Sequence, residues 1–215
     1  MPSFRSSTIP FSAFVLFAAV VLTGCATSRL SAEIPQGERL AGDWKLDAAR
    51  SDDLGKAVAE LRAQMAKARH DSRRDSDNGS GEPQQGPRIG PAPRASPVDE
   101  LMSSVPRGDY LRIAVSGGSF TVISGDSSDE YTPGLESEIS AQQGDAQQIS
   151  GWKAADYVID TRPQWGAEII QSYSLTKDGK LAVTVRLTGG KINFKLTRVY
   201  DRTTRVAPLA PPTNN

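Results

Sequence analysis

The chain has 215 residues, 38% of them hydrophobic and 7% aromatic, with 25 Lys+Arg against 25 Asp+Glu. A formal net charge of zero leaves no global field favouring nucleic acid or an anionic surface. A single cysteine excludes an intramolecular disulfide, so any folded domain stands on its apolar core alone.

Met1–Pro10 carries Arg5 as its one side-chain charge, and Phe11–Leu22 reads FSAFVLFAAVVL. That is about a dozen residues, the length of a signal-peptide apolar core and short of the ~20 a spanning helix needs. Residues 1–24 therefore read as a signal peptide. Leu22-Thr23-Gly24-Cys25 resembles the bacterial lipobox. The resemblance implies a diacylglycerol thioether on Cys25, cleavage before it and acylation of the new amino group. The covalent lipid on Cys25 is the one attached group expected. Two or more chains at ~0.8 kcal/mol per buried CH₂ anchor stably. In lipoproteins of this kind Asp after the cysteine retains the protein in the inner membrane; Ala26 implies the outer membrane instead.

Residues 25–38 read as a lipidated tether, punctuated by Pro35 and Gly37. The domain spans 39–205. Leu40–Leu46 alternates as a first strand. Ser51-Asp52-Asp53 offers a helix N-cap with acidic residues in the first turn. Leu54, Val58, Leu61 and Met65 recur at helical spacing, which predicts a helix over 54–69. Residues 70–95 hold one isolated aliphatic residue, Ile89, and no aromatic, so they are expected to form a disordered insert. Pro97–Ser104 suits a short second helix.

From Asp109 the period becomes two. Leu111, Ile113 and Val115 share a face, Gly117-Gly118 turns, and Phe120 and Val122 begin the return strand. Gly125–Asp129 reads as a turn. Weaker strands are expected at Glu130–Thr132 and Leu135–Ile139, then at Gln147–Trp152 and Ala155–Asp160. Ala167–Leu175, Leu181–Leu187 and Ile192–Asp201 form a meander with turns at Lys177–Lys180 and Thr188–Lys191. Residues 206–215 are a Pro-rich tail without periodicity. The spacing predicts a mainly β domain, an antiparallel meander barrel or sandwich with one or two helices after its first strand.

Gly42-x-Trp44 on the first strand resembles the Gly-x-Trp of lipocalins and related calycin barrels. In that family the tryptophan closes the barrel floor and an arginine from the last strand packs across it. Ile192, Phe194, Leu196, Arg198 and Tyr200 share a face here, so the resemblance implies a barrel-closing pair of Trp44 and Arg198. A Trp ring is a fitting partner for an inward guanidinium. The wider layout is similar to lipocalin-like domains of bacterial envelope proteins.

Other constellations give weaker chemistry. Asp126-x-x-Asp129-Glu130 is an acidic loop of turn formers with no metal-loop spacing, so no metal is expected. His70, the only histidine, borders the insert, and Cys25 is consumed by lipid. Glu136, Glu138 and Glu168 have no context distinguishing them as acid–base groups, so no catalytic residue is expected. Trp152, Tyr157, Trp165 and Tyr173 among Lys153, Arg162 and Lys177 read as β-core aromatics with charges outside. Arg69, Arg73, Arg74, Arg88 and Arg94 mix with acids, which suits a solvated stretch rather than a polyanion-binding arm.

These features predict a lipoprotein of the outer membrane, facing the periplasm. Its expected role is non-catalytic: binding a small apolar or amphipathic envelope molecule, or envelope maintenance. The alternative is a protein- or glycan-interaction module. Nucleic acid is not an expected partner.

Overall fold

The computed structural model describes residues 30–36, 38–77, 97–141 and 144–204. The expected signal peptide (1–24), Cys25, the part of the expected insert beyond Asp77 and the expected 206–215 tail lie outside the described residues.

Within them the expected meander is present. Strand β1 (Gly42–Leu46) leads into helices α1 (Leu54–Asp77) and α2 (Pro97–Ser103). Nine strands follow: β2 (Tyr110–Ser116), β3 (Ser119–Ser124), β4 (Ser127–Tyr131), β5 (Glu136–Ala141), β6 (Gly144–Lys153), β7 (Asp156–Pro163), β8 (Glu168–Leu175), β9 (Leu181–Gly189) and β10 (Ile192–Thr203). They form one antiparallel sheet in the order β4-β3-β2-β1-β10-β9-β8-β7-β6-β5.

The alternation read in the sequence sets the faces. Along β9, Leu181, Val183, Val185 and Leu187 are buried while the residues between them are not. Gly117 and Gly118 both take positive φ, 59° and 85°, which is the two-residue turn that matches strand twist. The sheet curls into a half-barrel, with β4 and β5 at its two ends. Phe120 of β3 stacks on Tyr157 of β7, six places away in the strand order, with ring centroids 3.7 Å apart. A flat sheet cannot make that contact, and the single continuous ten-stranded ladder makes this a curled sheet rather than a two-sheet sandwich.

Two buried clusters fill the barrel. At one end Trp44, Phe120, Trp152, Tyr157, Tyr173 and Tyr200 pack as an aromatic plug. At the other, Leu61 and Met65 of α1 and Leu101 of α2 cover Val185, Leu187, Phe194 and Leu196. The β2–β3, β4–β5, β6–β7 and β8–β9 turns share the plug end, as alternate turns of a meander must. The helices and remaining turns share the other.

Three boundaries differ from expectation. Helix α1 runs on to Asp77 rather than stopping at Arg69, because no Gly or Pro interrupts the sequence before Gly79. Its cap is Asp53, whose Oδ1 accepts from the Lys56 amide at 2.8 Å, so the acidic residues precede the first turn rather than occupying it. The turn before β4 is only Gly125-Asp126. Ser127–Tyr131 is already strand, because its backbone pairs with β3 while its side chains face mostly outward.

The segment expected as a free tether is partly docked. Ser31 exchanges both backbone hydrogen bonds with Trp152 at 2.8 Å, on the stretch of β6 that extends past β5. Two glycines make the space. A Cβ on Gly151 would stand 2.8 Å from Leu30 Cβ, and one on Gly134 would stand 2.9 Å from Ala32 Cβ.

Candidate functional site

Strands β4 and β5 end the sheet order on opposite sides and share no ladder among the described residues. Three adjoining spaces lie along this seam, of about 270, 380 and 220 Å³. Tyr131 borders all three. The first runs under the α2–β2 connection against Ser124, Gln171 and Tyr173. The second adds Ile139, Gln148 and Thr161, and the third opens outward past Leu135 and Ser150.

The polarity of this cleft is its main property. The buried polar or charged side chains among the described residues are Ser124, Ser150, Thr161, Gln171 and Arg198. The first four all line the cleft. Burying such groups costs free energy unless they are hydrogen-bonded. Several are: Gln148 Nε2 donates to Thr161 Oγ1 at 3.0 Å, Gln171 Nε2 donates to the Tyr173 hydroxyl, and Tyr157 donates to Ser150 Oγ at 2.9 Å. Ser124 Oγ donates to Arg107 O and Ser150 Oγ to Thr132 O, so each of the four has a partner within the protein. Gln171 interrupts the apolar inward face of β8 between Ile169 and Tyr173. That polar residue at an inward position is the sequence signal for the cleft.

Arg198 builds the cleft wall rather than closing the floor. Its side chain is 9% exposed, and its guanidinium donates to the carbonyls of Pro106 and Gly108. This fastens the Val105–Arg107 edge of the first space. The expected Trp44–Arg198 pair is therefore corrected. Arg202 covers Trp44, with its guanidinium 4.3 Å from the ring centroid. The register explains it: Trp44 stands directly opposite Arg202 on β10, one turn of the pleat beyond Tyr200. Arg202 also donates to the carbonyls of Arg39 and Ala41, at 2.5 and 3.0 Å. It crosses Gly42, where a Cβ would meet its Nη1 at 2.5 Å and where φ is +142°. The Gly-x-Trp spacing thus serves one physical purpose, passage of the arginine to the ring. Trp44 is fully buried, and its Nε1 donates to Leu40 O at 2.9 Å.

The other residues singled out in the sequence do not converge. Asp129 and Glu130 are consecutive on β4 and so point to opposite faces. Glu136 and Glu138 are exposed on β5. Glu168 lies on β8, three strands further on, and pairs with Arg162 at 3.4 Å. His70 is exposed on α1. Trp152, Tyr157 and Tyr173 are core, as expected, and Trp165 packs partly buried against the helix-end cluster.

Burial raises the phenols of the plug and the cleft. Tyr157 and Tyr200 are each pushed up to about 12, chiefly by desolvation, and desolvation also raises Tyr131 and Tyr173. An unfolded phenol titrates near 10. The sign follows: the burial of these neutral phenols stabilises fully below pH 10, and that contribution is lost as the pH climbs through about 12. In an alkaline titration, their phenolate absorbance is expected to rise together with loss of near-ultraviolet dichroism. Phenolate from these four tyrosines appearing near pH 10 with dichroism intact would refute a buried plug.

No protein-family model matches the chain, and no curated protein matches it. Similar solved structures include a REP1-NXSQ fatty acid transporter, with 17% identity over 78% of this chain and 98% of that one, and a TM-score of 0.43. A secretory abundant heat soluble protein from Ramazzottius varieornatus is 11% identical over 80% of this chain and all of that one, with a TM-score of 0.45. Lipid binding protein 8 of Caenorhabditis elegans is 11% identical over 79% and 99%, with a TM-score of 0.42.

Proposed function

We propose that this chain is a lipid-anchored protein of the bacterial outer membrane that binds a small amphipathic molecule, without catalysis, in the β4–β5 cleft. The observation that carries the binding reading is the concentration of buried polar side chains at one opening. Ser124, Ser150, Thr161 and Gln171 occupy inward positions on strands whose other buried residues are apolar, and they meet at this cleft. Their placement favours a ligand with hydroxyl or amide groups in the cleft and an apolar part against Ile139, Val122 and Tyr131. The anchor reading is supported by the order of apolar run, small residues and Cys25 in the sequence.

A fluorescent lysophosphatidylethanolamine is a suitable probe. It is expected to bind saturably, and Gln171→Leu is expected to weaken it by up to about tenfold, the value of one hydrogen bond. No saturable binding, or equal binding by Gln171→Leu, would refute the cleft as the site. The run of Ser103, Ser104, Ser124 and Ser127 along the first space favours glycan binding as the second reading. Displacement of the probe by a soluble oligosaccharide would select it.

A further inference from the structure

The docked N-terminal segment fixes how the barrel meets a membrane. Ser31 is paired to β6, and Leu30 and Ala32 fill the spaces left by Gly151 and Gly134. Only five residue steps separate Leu30 from Cys25, and extended chain reaches about 3.3–3.6 Å per residue, so the span is at most roughly 18 Å. A lipid on Cys25 therefore holds the plug end of the barrel close to the bilayer, and the helix end away from it.

The surface at that end fits. The exposed large hydrophobic side chains among the described residues are Ile34, at 43%, and Leu135, at 58%. Ile34 follows Ala32 by two residues, and Leu135 follows Gly134, the glycine against which Ala32 packs. Both thus neighbour the same contact in the chain. Glu33 and Glu136 are exposed beside them, which disfavours a strongly anionic lipid face. Leu135 is also a lip of the outermost cleft space.

We infer that the barrel end carrying Ile34 and Leu135 rests on a phosphatidylethanolamine-rich bilayer, with the mouth of the β4–β5 cleft at the lipid surface. This rests on the Cys25 anchor proposed above. The partner is the bilayer itself, and an amphipathic ligand then enters the cleft from the membrane side.

The test uses the full chain, expressed with its lipid and purified in detergent. Intact mass first reads acylation. Acylation leaves no other free thiol, so Leu135→Cys and Gln164→Cys each present one labelling site; Gln164 is exposed in the β7–β8 turn at the helix end. Each is labelled with a bimane fluorophore and placed in phosphatidylethanolamine/phosphatidylcholine vesicles with brominated acyl chains. Label at 135 is expected to lose about half its fluorescence or more, and label at 164 none, because an interfacial side chain sits ~5–10 Å into the headgroup boundary. An acylated protein unquenched at 135, or quenched equally at both positions, overturns the orientation and leaves the anchor standing. A mass without acyl groups overturns the anchor, and the orientation with it.

Discussion

Phe120→Ala is expected to destabilise the protein by about 3–5 kcal/mol, the largest effect of any single truncation considered. Phe120 is fully buried. It stacks within 7° of parallel on Tyr157, meets Trp152 edge-on at 5.8 Å and tilts against Tyr173 at 5.3 Å. The loss includes transfer of the ring, a residual cavity, and aromatic pairing of ~0.5–1.5 kcal/mol per contact. Topology adds a local consequence. β3 and β4 lie beyond β2, at one end of the strand order, and β4 has a single ladder partner. Phe120 is the side chain that ties this flap across the barrel to β6, β7 and β8. Chemical denaturation reads the global term. Native-state amide exchange is expected to accelerate in β3 and β4 far more than in β9 and β10. A midpoint shift worth less than about 1 kcal/mol, or uniform exchange, would show that the flap is held by other contacts.

How much of this architecture could be read in advance depends on which residues carried an independent signal. The β2–β3 hairpin was legible because Leu111, Ile113 and Val115 alternate and Gly117-Gly118 offers two positive-φ positions. The β8–β10 meander was legible for the same reasons. Strand β4 was not, because Ser127-Ser128-Asp129-Glu130 are turn formers by composition, and only pairing with β3 makes them extended. The docking of Leu30–Ala32 was hidden because backbone pairing to β6 leaves no side-chain period in so short a segment. The closing arginine failed on register. Arg198 and Arg202 share strand parity, so alternation alone cannot choose between them; the β1–β10 pairing does. The cleft was half legible. Gln171 is an inward polar residue on an otherwise apolar face, but Ser124 and Thr161 resemble ordinary strand residues until the curled sheet brings them to one opening.

The two arginines of β10 are expected to separate stability from binding. Arg198→Met keeps the length and apolar stem of the side chain but strips the donors from Pro106 O and Gly108 O. The bared carbonyl of buried Pro106 costs roughly 1–3 kcal/mol, while that of exposed Gly108 is left to water, so a loss of about 1–3 kcal/mol is expected. The Val105–Arg107 edge of the cleft loses its fastening at the same time, so lysophosphatidylethanolamine binding is expected to weaken well beyond the stability effect. Arg202→Ala removes the cation–π contact to Trp44 and two carbonyl contacts, in a side chain that is itself exposed. About 1 kcal/mol is expected there, with probe binding unchanged, because Arg202 borders no part of the cleft. Both variants are compared by denaturation and by probe titration under conditions where each is fully folded. If Arg202→Ala weakened the probe as strongly as Arg198→Met, the floor and the cleft would be one coupled unit. The separate roles assigned to these two arginines would then fail, even though they stand only four residues apart on the same strand.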